Sequence, residues 1–117
     1  MFEKLFLLVK NNAGRAVIEN PVIAAKDRDA VMIEASSSII EVMKNQMESG
    51  KLSDLIKFFR YSGVYGTALI ASMVNKFANK LNKFYGIEPD AAHKTAAMLI
   101  PEVMKQLVHE MKTGSEA

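Results

Sequence analysis

Apolar residues recur at helical spacing along the whole chain. Phe2, Leu5, Phe6 and Val9 fall at i, i+3, i+4 and i+7, one face of a first helix. Asn11-Asn12 and Gly14 supply a stop, because glycine enters the left-handed conformation without a Cβ penalty. Arg15–Glu19 has room for one more turn before Asn20-Pro21, where the ring disfavours helix in the preceding residue. A long second helix is expected from about Asp27, its cap, to Glu48, with Gly50 closing it. Met32, Ser36, Ile39, Met43 and Met47 line one face, with Ile33 and Ile40 beside them. Asp27, Glu34, Glu41 and Glu48 recur every seven residues on the far side, as a solvated stripe does.

Ser53 caps a short third helix, Asp54 to about Tyr61, and Ser62–Gly66 reads as a tight turn. A fourth helix runs to about Tyr85, with Ile70, Met73, Val74, Phe77, Leu81 and Phe84 as its buried stripe and Gly86 ending it. Pro89 suits the first position of a last helix, where its missing N–H has no intrahelical partner. Ala92, Ala96, Leu99, Val103, Leu107 and Met111 face inward. Pro101 removes a backbone hydrogen bond and crowds the carbonyl of Ala97, so a kink or break is expected near Ile100.

No segment alternates as a strand does. The expectation is an all-α protein, a compact, irregular and partly orthogonal bundle of five or six helices. Residues 1–112 form its one domain, and 113–117 a frayed tail. A length of 117 residues, half of them apolar, suits a single core and argues against disorder. The apolar run Leu5–Val9 is shorter than a secretory core of ~7–15 residues and far short of a membrane span. The expectation is a retained first helix and a cytoplasmic protein, which the absence of cysteine permits.

Several fragments are familiar together. They are Met1-Phe2-Glu3-Lys4-Leu5, Val9-Lys10-Asn11-Asn12-Ala13-Gly14, Ile18-Glu19-Asn20-Pro21-Val22-Ile23, Ala35-Ser36-Ser37-Ser38-Ile39, Gly50-Lys51-Leu52-Ser53-Asp54-Leu55 and Leu99-Ile100-Pro101-Glu102-Val103. In that order the chain resembles the YidB-like family of small bacterial helical proteins. The resemblance implies an all-helical fold and a bacterial source; it implies no biochemical activity and transfers no functional residue. The chain departs from the family in having the compact Tyr61–Gly66 turn where relatives often carry a glycine-rich connection, and in lacking their glycine-rich tail.

Chemistry-bearing motifs are scarce. Phosphate-binding glycine loops, the nucleophile elbow and H-E-x-x-H are all missing from the sequence. Glu102, Gln106 and His109 share a helix face, but one histidine and one carboxylate fall short of a zinc site, and His93 lies beyond Pro101. Ser36–Ser38 read as small side chains that let helices pack closely, rather than as a nucleophile. No catalytic residue, metal or cofactor is assigned, and the protein is read as a non-enzyme.

Charge changes the picture more. Residues 51–85 carry +5 of a total of +2, and hold seven of the nine aromatics. Lys76, Lys80 and Lys83 lie at i, i+4 and i+7, flanked by Asn75, Asn79 and Asn82, while Lys57 and Arg60 form a second basic pair. Such a stripe can grip phosphates. The plainer account is a solvated helix face, with the aromatics in the core. Glu34, Glu41 and Glu48 are candidates for steering self-association, by meeting Lys76, Lys80 and Lys83 of a neighbouring molecule. Eight methionines serve core filling best, though a cleft for a small apolar ligand is also compatible with them. The reading is therefore a structural or protein-interaction module acting through helix faces, with a protein partner or a homo-oligomer. A nucleic-acid-binding module using Lys57, Arg60, Lys76, Lys80 and Lys83 is the alternative.

Overall fold

The computed structural model describes residues 2–50 and 67–114. It is a small all-α bundle, and no strand occurs among the described residues. Helix α1 (Phe2–Asn11) leads into a π-helical turn (Gly14–Ile18) and a single 3₁₀ turn (Ala25–Asp27). Helices α2 (Arg28–Glu48), α3 (Thr67–Tyr85) and α4 (Pro89–Gly114) follow. The expected third helix, Asp54 to Tyr61, lies outside the described residues, as do Lys57 and Arg60. No helix among the described residues is long and apolar enough to cross a membrane.

Glycine ends two helices as expected: Gly50 has φ 79° and Gly86 φ 65°, values that cost a Cβ-bearing residue energy. Gly14 does not end α1. The Asn12 side chain donates to the Leu8 carbonyl at 2.8 Å and closes that terminus, so Gly14 is free to open the π turn. There Ile18 donates to Ala13 at 3.0 Å, five residues back. Asp27 occupies the N-cap position of α2 but makes no capping bond through its side chain.

The last helix is the axis of the bundle. It packs most extensively on α3 and also meets α1 and the π turn. In its first half Ala92, Thr95, Ala96 and Leu99 are buried, an arc of about 100° at helical spacing. In its second half Leu99, Ile100, Val103, Met104, Leu107 and Val108 are all buried, and the arc widens to about 180°. α4 runs unbroken through Pro101, so of the expected kink or break the break is absent. Ala97, whose carbonyl loses its partner, is exposed, so water can satisfy that oxygen.

Other apolar positions depart from the expected stripes. Ile33 and Met47 on α2 are exposed, and Phe84 is 64% exposed although its spacing puts it in line with the buried Phe77 and Leu81. Met32, Met43, Met73 and Met104 fill the core as expected. Phe77→Ala should lower unfolding free energy by about 3–5 kcal/mol in urea titrations, as a buried aromatic truncation does. Phe84→Ala should change it by less than about 1 kcal/mol, since its ring is already in water.

Candidate functional site: the acidic and basic stripes at the α2–α3 seam

Of the heptad carboxylates, Glu34 and Glu41 lie along the edge of α2 that faces α3, not on its far side. Glu41 meets two lysines of its own chain: its Oε1 accepts from Lys80 Nζ at 3.1 Å, and its Oε2 lies 3.5 Å from Lys76 Nζ. The contact expected between molecules is thus made within one. Lys80 is drawn in until its side chain is only 16% exposed, its methylenes covering the seam while the ammonium holds the carboxylate. Lys83 is exposed and makes no ion pair among the described residues. Each partly exposed pair contributes about 0–1 kcal/mol, so the cluster sets register more than stability.

Antiparallel packing carries the same correspondence further along the seam. Tyr85, at the end of α3, lies near the start of α2. Burial raises its phenol above the ordinary 10.0, and the negative charges of Glu34 and Asp27 raise it further. Glu48, at the other end of the stripe, is exposed.

Beside the ion pairs lies an open groove that the sequence did not single out. Asn45 and Gln46 of α2 face Ser72, Asn75 and Asn79 of α3 across it. Their carboxamides make no side-chain hydrogen bond within the described residues. Asn82 differs: its Nδ2 donates to the Ile87 carbonyl at 2.8 Å and fixes the turn after α3, so it does not serve the basic stripe. Asn45 and Gln46 were legible as polar residues, but only the α2–α3 register shows that they oppose Asn75 and Asn79.

The remaining candidates are spread out. Ser36 and Ser38 are fully buried, and their hydroxyls donate to the Met32 and Glu34 carbonyls at 3.1 and 2.8 Å, which accounts for serines in a core. His93, Glu102 and His109 are exposed on α4, and no cluster of three metal-ligating side chains forms among the described residues. Gln106 is taken up by Asn12: the two amides exchange hydrogen bonds at 3.1 Å in both directions.

A second groove, missed by sequence reasoning, is apolar. Glu3, Phe6 and Leu7 of α1 and Ile33 of α2 line about 370 Å³, and nearly all of its surface is hydrocarbon. The signal for it was the presence of Leu7 and Ile33 outside the main stripes.

In comparisons with known proteins the chain matches no family model, no curated protein and no solved structure.

Tyr85 supplies a pH test. A raised folded-state pKa favours the neutral phenol, so its contribution is fully present below pH 10.0 and is lost as pH rises through the folded value. Stability of the wild type should fall more steeply than that of Tyr85→Phe in urea titrations carried from pH 9 to pH 11. Equal slopes would mean that Tyr85 ionises as freely in the fold as in the unfolded chain.

Proposed function

We propose that this protein is a non-enzymatic structural or protein-interaction module that works through exposed helix faces. The observation that carries the reading is a set of large apolar side chains left outside a core that is otherwise well filled. Leu7, Ile33, Met47, Phe84 and Met98 are exposed, and Leu7 and Ile33 share one apolar groove. Exposed hydrocarbon shared between two helices, as at Leu7 and Ile33, is a mark of contact surfaces, whereas the other three are placed singly as far as the described residues show. The same proposal makes the chain a bacterial, cytoplasmic member of the YidB-like family, supported by the ordered fragments quoted above and by the all-helical bundle.

The alternative, a nucleic-acid-binding module, is supported by the +5 charge of residues 51–85 and by the exposure of Lys83. Against it stands Glu41, which already neutralises much of Lys76 and Lys80. Glu41→Gln separates the two readings, because it releases both lysines while leaving the backbone untouched. Labelled single- and double-stranded DNA and RNA, followed by fluorescence anisotropy at 50 and 200 mM salt, provide the readout. A phosphate-binding stripe of three lysines gives a salt slope of about −2.7, roughly 40-fold over that range, and should bind more tightly in the Glu41→Gln variant. The interaction reading expects no binding by either protein.

Its positive test is photo-crosslinking in the cells that make the protein. A photoreactive phenylalanine at Leu7, Ile33 or Phe84 should capture protein, and the same group at the exposed Lys94 should not. Adducts to nucleic acid at Lys83, or none at any apolar position, would overturn the reading.

A further inference from the structure

We propose that the apolar groove between α1 and α2 receives the α1 helix of a second copy of this chain, the two α1 helices lying antiparallel about a two-fold axis. The inference rests on the protein-interaction reading and names the partner and the surface.

Its basis is the order of residues on the outer face of α1. Glu3, Leu7 and Lys10 fall at i, i+4 and i+7, within about 60° of one another, and all three are exposed. Neither Glu3 nor Lys10 forms an ion pair among the described residues, whereas Lys4, on another side of the helix, is held by Glu110 at 3.6 Å. The face therefore has an acid at one end, a base at the other and a leucine between them.

Such a face complements itself in one direction only. Glu3 and Lys10 are separated by about 10.5 Å along the axis, and their midpoint falls between Phe6 and Leu7. A two-fold axis through that midpoint sets Glu3 of each copy against Lys10 of the other, twice, and brings each Leu7 to the groove that the other copy's Phe6, Leu7 and Ile33 line. Parallel helices would instead oppose Glu3 to Glu3 and Lys10 to Lys10. An unrelated apolar ligand would fill the groove but would leave the charge order unexplained.

The surface is small. α1 is 10 residues, about 15 Å, so the contact lies at the low end of interface sizes and association is weak, with a Kd on the order of 100 µM. The charged pairs choose the orientation, and the burial of Leu7 and Ile33 supplies the attraction.

Sedimentation equilibrium of the full chain at up to about 500 µM tests this, a range set by the weak affinity expected. The wild type should show a monomer–dimer equilibrium. Glu3→Lys alone and Lys10→Glu alone should each weaken it about tenfold, because each turns both cross pairs into like charges. The double variant, Glu3→Lys with Lys10→Glu, should return to within about threefold of wild type, and Leu7→Ser should abolish dimers. All three positions are exposed sites on a helix, and unchanged urea unfolding at low concentration confirms that each variant is folded.

A wild type that stays monomeric throughout, single swaps without effect, or a double variant that fails to recover would each overturn the proposal. A monomeric chain that still crosslinks to a different protein at Leu7 would overturn the second copy as partner and leave the interaction reading standing.

Discussion

The bundle depends on one helix burying two faces. α4 has no charged side chain on the buried arc from Ala92 to Val108, and over its second half that arc covers about half its circumference. A single partner helix cannot shield so wide a surface. α3 covers one side, and the other must be met by the N-terminal segment, which has to travel back across the molecule to reach it. Every later feature follows from that demand: the sharp exit from α1, the π turn, and the position of α2 as a strut between α1 and α3.

Two amide contacts hold the N-terminal segment in register on α4. Asn12 pairs with Gln106 near the end of α4, and Asn20 donates to the buried Thr95 hydroxyl at 2.8 Å near its start. Asn20 also donates to the Ala16 carbonyl at 2.9 Å and accepts from the Val22 N–H at 3.2 Å, so one side chain closes the π turn and opens the next loop. At the part-buried Asn20–Thr95 contact an amide or hydroxyl left without a partner costs about 1–3 kcal/mol, and that penalty disfavours a slip of the segment along α4; the exposed Asn12–Gln106 pair adds direction more than energy. Arg28 ties the π turn to the start of α2, donating from Nη2 to the Ile18 carbonyl at 3.0 Å. These contacts are directional where the hydrophobic contacts are not, which is how a methionine-rich core reaches one arrangement.

Much of this was written in the pattern of the chain. Helix positions, the left-handed glycines at Gly50 and Gly86, and Pro89 as the first residue of α4 all follow from local chemistry. What periodicity could not supply is the extent of each neighbour. A single stripe on α4 includes Leu99, Val103 and Leu107 but passes over Ile100 and Val108, because a second partner is a tertiary fact. Phe84 shows the opposite error: its spacing continues the stripe of α3, yet its side chain is mostly exposed at the last turn. The acidic stripe was visible as a heptad, and so was the lysine stripe. That Glu41 joins Lys76 and Lys80 inside one chain depends on the antiparallel register of α2 and α3, which no local pattern encodes. The apolar groove was hidden for the same reason, since Leu7 and Ile33 belong to helices whose adjacency only the fold reveals.

The central role of α4 has a direct measure in native-state hydrogen exchange of the whole chain. Amides from Leu99 to Leu107, Pro101 aside, should exchange only through global unfolding, together with those around Phe77 on α3, while α1 and the π turn open at lower free energy. If the most protected amides instead lie in α1 or α2 and those of α4 exchange through local opening, α4 is not the element on which the rest of the bundle is built.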